Sequence, residues 1–393
     1  MSTAPAAPAR TVNRTGLLAL LFAGFTLIGI PTVIIGPILP LFISRWSLND
    51  SQAGLFFTVQ FAAALCGVWI TTALTAWRGY RPGLALGYLL TGVGLAMLNA
   101  PTHALALVAT AVFGLGYGVA IPPSNLSAAE AGGKRSAGLV SLLNFAWGIG
   151  AVACSPLIMV ALRHRFLPAL LYTVAFCALV LGVSFLFVSF PPDKHAHGAE
   201  SAASSAPIPT HAITAGVAVL FFVYVGTETG VGGWAAEYVK RLDGHASSLS
   251  TIAPMFFYAG LTTGRGLASL VLLRVRESHL VLSAVSLAAI GVAVLIATAS
   301  PSTAVVGLSI AGFGCASIYP IYISWFSKWY GAAARRLGGV VFSMASFGGS
   351  VMPWVVGVVS TQVGSLRIGL LVPLAGCVIM LGGLALLHRQ RLV

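Results

Sequence analysis

Twelve apolar stretches, each long enough to cross a bilayer, fill nearly the whole of this 393-residue chain. A spanning helix needs about 20 mostly apolar residues. Backbone in hydrocarbon must also satisfy its own hydrogen bonds, so such runs are read as helices. They fall near residues 16–44, 52–75, 82–100, 104–126, 136–162, 167–190, 211–239, 248–273, 278–299, 302–327, 337–362 and 366–388. With 58% hydrophobic and only 7% charged residues, the chain would be insoluble in water as a globule. The sequence therefore predicts an all-α membrane protein of 12 transmembrane helices.

The net charge of +13 does not mark a nucleic-acid binder, because the basic residues are spread through short loops rather than gathered on one face. With a cytoplasmic N-terminus, 14 of the 21 Lys/Arg fall in cytoplasmic loops and tails. Six lie on the opposite side (Arg45, Arg163, Arg165, Lys240, Arg241 and Arg367), and Arg265 lies within a span. Positive charge stays inside, so both termini are expected in the cytoplasm and the chain in the inner membrane. The polar segment Met1–Arg14 carries no cleavable signal pattern. The five cysteines fall inside apolar runs without paired spacing and read as small buried hydrophobes, not disulfides or metal ligands. All eight histidines sit in loops or at span ends. No metal site, cofactor site or catalytic constellation emerges, and an enzyme is not expected.

Only one connection is long. Residues 191–210, rich in Pro, Ser, Ala and His, read as a cytoplasmic linker. It divides the chain into a tail (1–14), a six-helix bundle (15–190), the linker, a second six-helix bundle (211–388) and a tail (389–393). The halves echo one another. Gly114, Gly116 and Pro122 recur at an offset of 198 as Gly312, Gly314 and Pro320, and the basic pair Lys134–Arg135 recurs as Arg335–Arg336. Such internal symmetry marks duplicated transporters, whose binding site lies near the midplane between two halves that rock. Glycines of the fifth and eleventh helices (Gly148, Gly150, Gly348, Gly349, Gly357) suit close helix approach.

Over its full length the sequence resembles the major facilitator superfamily, and within it the fucose/glucose-type sugar permeases. The segments that carry this are Asn125–Glu130 with Lys134–Arg135, Leu143–Ala151, Tyr224–Trp234, and Gly348–Gly357 followed by Gly364–Arg367. The resemblance implies two pseudo-symmetric six-helix bundles, alternating access, a monomer and a sugar:proton symporter. Two departures qualify it. The loop after the second helix has Ala76 where the superfamily has its acid. Ile121 stands where fucose-type permeases have an acid before the fourth-helix Asn, and the first helix has no acid at all. Proton coupling by the family's usual residues is therefore not expected, and a uniporter stays open, as does an efflux or organic-solute transporter.

Glu228 lies deep in the seventh helix, where an ionisable side chain is costly unless paired or hydrated. Three roles stand open for it: proton carrier, ligand for sugar hydroxyls, and partner of Arg265. Arg265 in turn reads as a sugar ligand, as a counter-ion to Glu228, or as a side chain snorkelling to the interface. Glu130 is expected to pair with Lys134 and Arg135. A sugar site also needs amides and aromatic faces. Gln60, Asn125, Asn144, Trp147, Tyr224, Trp234, Tyr258, Tyr319 and Tyr322 are the candidates, whereas Trp46, Trp77 and Trp329 read as interfacial residues.

Overall fold

The computed structural model describes residues 14–133, 136–188, 190, 211–330 and 334–389. The expected linker and the pair Lys134–Arg135 lie outside them. All regular structure among the described residues is helical. α1 runs as Arg14–Val33 and Ile35–Trp46, followed by α2 (Asp50–Arg78), α3 (Tyr80–Met97), α4 (His103–Gly132), α5 (Ser136–Arg163) and α6 (Leu167–Phe187). The second half comprises α7 (His211–Asp243), α8 (Ser248–Val271), α9 (Glu277–Ala297) and α10 in two pieces (Pro301–Cys315 and Ile318–Tyr330). α11 (Ala334–Val363) and α12 (Leu366–Gly369 and Leu371–Arg389) complete it. Among these, ten spans are long and apolar enough to cross a membrane by length and composition; α3 and α8 complete the twelve. α8 falls short because Ser248, Ser250, Thr251, Thr262, Thr263 and Arg265 dilute its apolar face.

The two halves pack by the same plan. In the first, α1 lies on α5, α2 on α4, and α3 on α4 and α6; in the second, α7 lies on α11, α8 on α10, and α9 on α10 and α12. The repeat seen in sequence is thus a repeat of contacts. Gly150 meets the Thr26 carbonyl of α1, and Gly348, 198 residues on, meets the Phe222 carbonyl of α7. Gly114 faces the Gln60 carbonyl of α2 as Gly312 faces that of Phe257 in α8. A Cβ at any of these positions would overlap backbone, so the duplicated glycines record where two helix axes come closest.

Burial corrects one expectation. Cys154, Cys315 and Cys377 are buried, but Cys66 and Cys177 are exposed on helix surfaces. An apolar run in a bundle presents one side to its neighbours and the other outward, and apolar composition alone does not say which.

The end carrying Arg14 and Arg389 is called here the near end, and that carrying Trp46, Asp50 and Asp243 the far end. The halves meet through α2 and α11, α5 and α8, and the second segment of α1 with α7. Hydrogen bonds across that seam gather towards the far end. Thr58 Oγ1 donates to the Ser350 carbonyl (2.9 Å) and Ser350 Oγ returns a bond to the Thr58 carbonyl (3.0 Å). Ser51 N–H donates to Thr361 Oγ1 at 2.9 Å.

The seam ends in a charged gate. Arg241 of α7 grips Asp50 of α2 with two bonds of 2.8 and 2.5 Å, and its Nε reaches Glu237 at 2.9 Å. The Ser360 hydroxyl of α11 donates to the same Asp50 carboxylate. Lys240 bridges Glu237 at 3.3 Å and Ser44 of α1 at 3.3 Å. Asp50 is 8% exposed and Glu237 only 2%. Two acids and two bases cancel, and the bases keep contact with solvent (20% exposed for Lys240, 37% for Arg241), which lets the two acids be buried. The far end is closed.

Candidate functional site

Midway along the bundle, polar side chains from both halves converge. In α7, the Tyr224 hydroxyl donates to the Glu228 carboxylate one turn on, and also lies 3.1 Å from the Cys315 carbonyl. Cys315 ends the first segment of α10, so the negative end of a half-helix faces this phenol. Arg265 of α8 balances that charge, with its guanidinium 3.9 Å from Glu228. At an effective dielectric of about 20, a pair at this distance gains about 4 kcal/mol. It is a loose ion pair rather than a hydrogen-bonded fork, and both side chains keep some exposure, 25% for Arg265 and 15% for Glu228.

Arg265 also crosses to the other half, where its guanidinium lies 5.5 Å from the centroid of the Trp147 ring in α5. A cation over an indole face is worth about 0.5–2 kcal/mol. Trp147 is fixed in turn by its indole N–H, which donates to Thr32 Oγ1 of α1 at 2.9 Å, and by the edge of Tyr258, 6.4 Å away between centroids. Asn144, one turn before Trp147, donates to Asn125 Oδ1 at 3.1 Å and to the Val140 carbonyl at 2.9 Å. Tyr319 of α10 stacks obliquely on Tyr224 at 5.9 Å. Arg265 Nε and Thr262 Oγ1 are buried without a hydrogen-bond partner among the described residues. Native interiors rarely leave such donors unpaired.

The repeat explains why the two sides differ in chemistry. Gly150 and Gly348 register α1 against α7 through Thr26 and Phe222, an offset of 196, and by that offset Glu228 occupies the place of Thr32. One half thus contributes hydroxyl, amides and indole, and the other contributes carboxylate, guanidinium and phenols.

Eight of the eleven candidate residues meet in this region: Asn125, Asn144, Trp147, Tyr224, Glu228, Tyr258, Arg265 and Tyr319. The other three have different surroundings. Gln60 is 1% exposed, and its amide donates to the Thr32 (2.9 Å) and Pro31 (3.4 Å) carbonyls beside the break in α1. Trp234 is fully buried, donates to the Pro353 carbonyl of α11 at 2.8 Å and packs on Phe57 across the seam. Tyr322, 3% exposed, packs behind Tyr224 against Phe221 and Trp325. Glu130 accepts the Tyr80 phenol at 2.5 Å.

On the far side of the cluster, Thr32, Phe57, Gln60, Phe61, Thr229 and Tyr258 surround a void of about 10 Å³, room for at most one water. Asn125, Asn144, Trp147, Glu228 and Arg265 of the cluster keep partial exposure. Thr32 and the far gate were not among the sequence candidates. For the gate a signal existed: Glu237, Lys240 and Arg241 stand at the i,i+3 and i,i+4 spacings of a helical ion pair.

Residues 21–305 match the model of the Major Facilitator Superfamily. The chain belongs to this superfamily. It is an integral membrane transporter, not an enzyme. Among solved structures, the chain is similar to a D-xylose–proton symporter, with 16% identity, a TM-score of 0.77, and coverage of 94% of this chain and 96% of that one. It is also similar to a bacterial homologue of the human lysosomal transporter Spinster in an inward-facing, occupied conformation, with 15% identity, a TM-score of 0.74 and coverage of 96% and 97%. A third likeness is to the E. coli fucose:proton symporter, with 16% identity, a TM-score of 0.61 and coverage of 94% and 98%. No curated protein sequence matches the chain.

Proposed function

We propose that this transporter carries a monosaccharide across the inner membrane by alternating access, coupled to a proton held on Glu228. The bundles 15–190 and 211–388 are the rocking bodies, the near end with both termini faces the cytoplasm, and the monomer is the working unit. One observation carries the proposal. The midplane cluster joins a carboxylate, a guanidinium with an unpaired donor, two amides and an indole face across the seam between the halves. A neutral polyol needs that set: donors and acceptors for its hydroxyls and an aromatic plane for the apolar face of its ring. The sugar:proton symporters of similar fold support this choice.

The same geometry supplies a route for coupling. Arg265 is shared between Glu228 in its own half and Trp147 in the other. A proton on Glu228 cancels the attraction of about 4 kcal/mol that holds the guanidinium. Arg265 is then free to turn its donors to sugar hydroxyls, and the link between the halves changes with it. Loading of proton and sugar thus alters the seam about which the bundles move.

Uniport is the second reading, favoured by one feature: α1 presents the neutral Thr32 at the place of Glu228, so the site has a single acid. Counterflow tests the substrate. Vesicles holding the purified protein and unlabelled glucose should accumulate labelled glucose transiently and saturably. No overshoot with glucose or with any other hexose or pentose would overturn the sugar assignment and leave an organic-solute or efflux transporter.

A further inference from the structure

A larger, open cavity of mixed lining lies far from the seam, at the near-end surface of the first half. It measures about 480 Å³, and Arg78, Gly79 and Arg81 from the α2–α3 turn line it together with Leu186 and Phe190 from the end of α6. Arg81 is held in place by a 2.9 Å bond from its guanidinium to the Val188 carbonyl. The Arg78 guanidinium lies 4.0 Å from the centre of the Trp77 ring. Neither arginine forms an ion pair with an acid among the described residues, and Glu130, the acid of this corner, is engaged by the Tyr80 phenol. α3 starts at Gly79 with no side chain capping its N-terminus, so the helix dipole adds to the positive field there.

The surroundings are those of a membrane surface. Trp77 is 72% exposed and Phe187 81%, with Trp69 at 63% two turns deeper along α2. No described residue covers these rings. Indoles at a span end sit at the headgroup level, and basic residues beside them attract anionic lipid. A pocket that sets two arginines among apolar side chains, opening beside exposed aromatics, matches a molecule with an anionic head and an apolar tail.

We propose that this cavity binds the phosphodiester headgroup of an anionic phospholipid from the near-end leaflet. Its acyl chains lie along the Trp69, Trp77 and Phe187 surface. The inference is independent of the transported substrate and of proton coupling.

Native mass spectrometry of the full-length protein in detergent tests it, with phosphatidylglycerol, phosphatidylcholine of the same chains, and inorganic phosphate as probes. The wild type should hold one phosphatidylglycerol at least tenfold more tightly than phosphatidylcholine. Arg78→Gln should weaken that binding about fivefold and leave phosphatidylcholine unchanged, while Arg78→Lys should retain it. Arg78→Gln spares the Arg81–Val188 bond, and Arg45→Gln at the far end serves as the control that should bind as wild type. Equal binding of the two lipids, or unchanged phosphatidylglycerol binding in Arg78→Gln, overturns the proposal. Displacement of the lipid by millimolar phosphate overturns the lipid as occupant in favour of the free anion.

Discussion

Replacing Arg241 with Gln should open the far end of the transporter. In the closed state its guanidinium makes two bonds to Asp50 and one to Glu237. Without it those acids keep the Ser360 hydroxyl and Lys240 as partners. Removing one member of a buried ion pair costs about 3–5 kcal/mol, chiefly because the other charge is stranded. Arg241 is itself 37% exposed at its side chain, so the low end applies, about 3 kcal/mol, or roughly 150-fold in an equilibrium constant. The cost falls only on the far-closed state, since opening separates α2 from α7 and returns both acids to water. Spin labels at Arg163→Cys and His245→Cys, one in each half at the far end, in a background free of native cysteines, report the opening as a distance. With Arg241 intact one short population should dominate; with Gln the longer one should take over. Adding Asp50→Asn to Arg241→Gln should recover part of the closed population, because the stranded charge is gone. If the Gln variant keeps the wild-type distribution, the gate does not hold the seam and the reasoning fails.

Three further outcomes follow from the geometry. Gly150→Ala puts a methyl group against the Thr26 carbonyl and should destabilise the first half by about 1–3 kcal/mol, seen as a lower Tm in detergent. Gly138→Ala, with open space at the Cβ, should leave Tm unchanged or slightly raised. Trp147→Phe keeps a ring under Arg265 but loses the bond to Thr32, so counterflow should persist with affinity about five- to tenfold weaker. Trp147→Ala removes both contacts and should abolish it; equal activity of the Phe and Ala variants would exclude the indole from the site.

The spans were legible because 20 apolar residues in a row admit few readings. The repeat was legible through glycine, because close helix approach leaves a residue type at a fixed offset: Gly114 and Gly150 return as Gly312 and Gly348. Glu228 and Arg265 stood out as charges inside apolar runs. The far gate was obscured because Asp50, Glu237 and Arg241 lie at span ends, where a charge normally means solvent. The burial of the two acids comes from α2 meeting α7 and α11, a contact 191 residues apart in sequence for Asp50 and Arg241. Gln60 and Trp234 have partners that the sequence did not show, for a related reason. An amide or indole in a membrane helix must find a partner, and sequence does not say whether that partner is a solute or a nearby carbonyl. For Gln60 it is the broken α1, and for Trp234 it is Pro353.

The most direct test of coupled transport through Glu228 is labelled glucose uptake into proteoliposomes under an inward gradient of about two pH units, for wild type and Glu228→Gln. One proton per sugar supplies about 2.7 kcal/mol across that gradient, roughly a hundredfold accumulation. The account predicts that wild type accumulates glucose above equilibrium only with the gradient, while Glu228→Gln equilibrates the sugar without concentrating it. Accumulation by the Gln variant equal to wild type would contradict it.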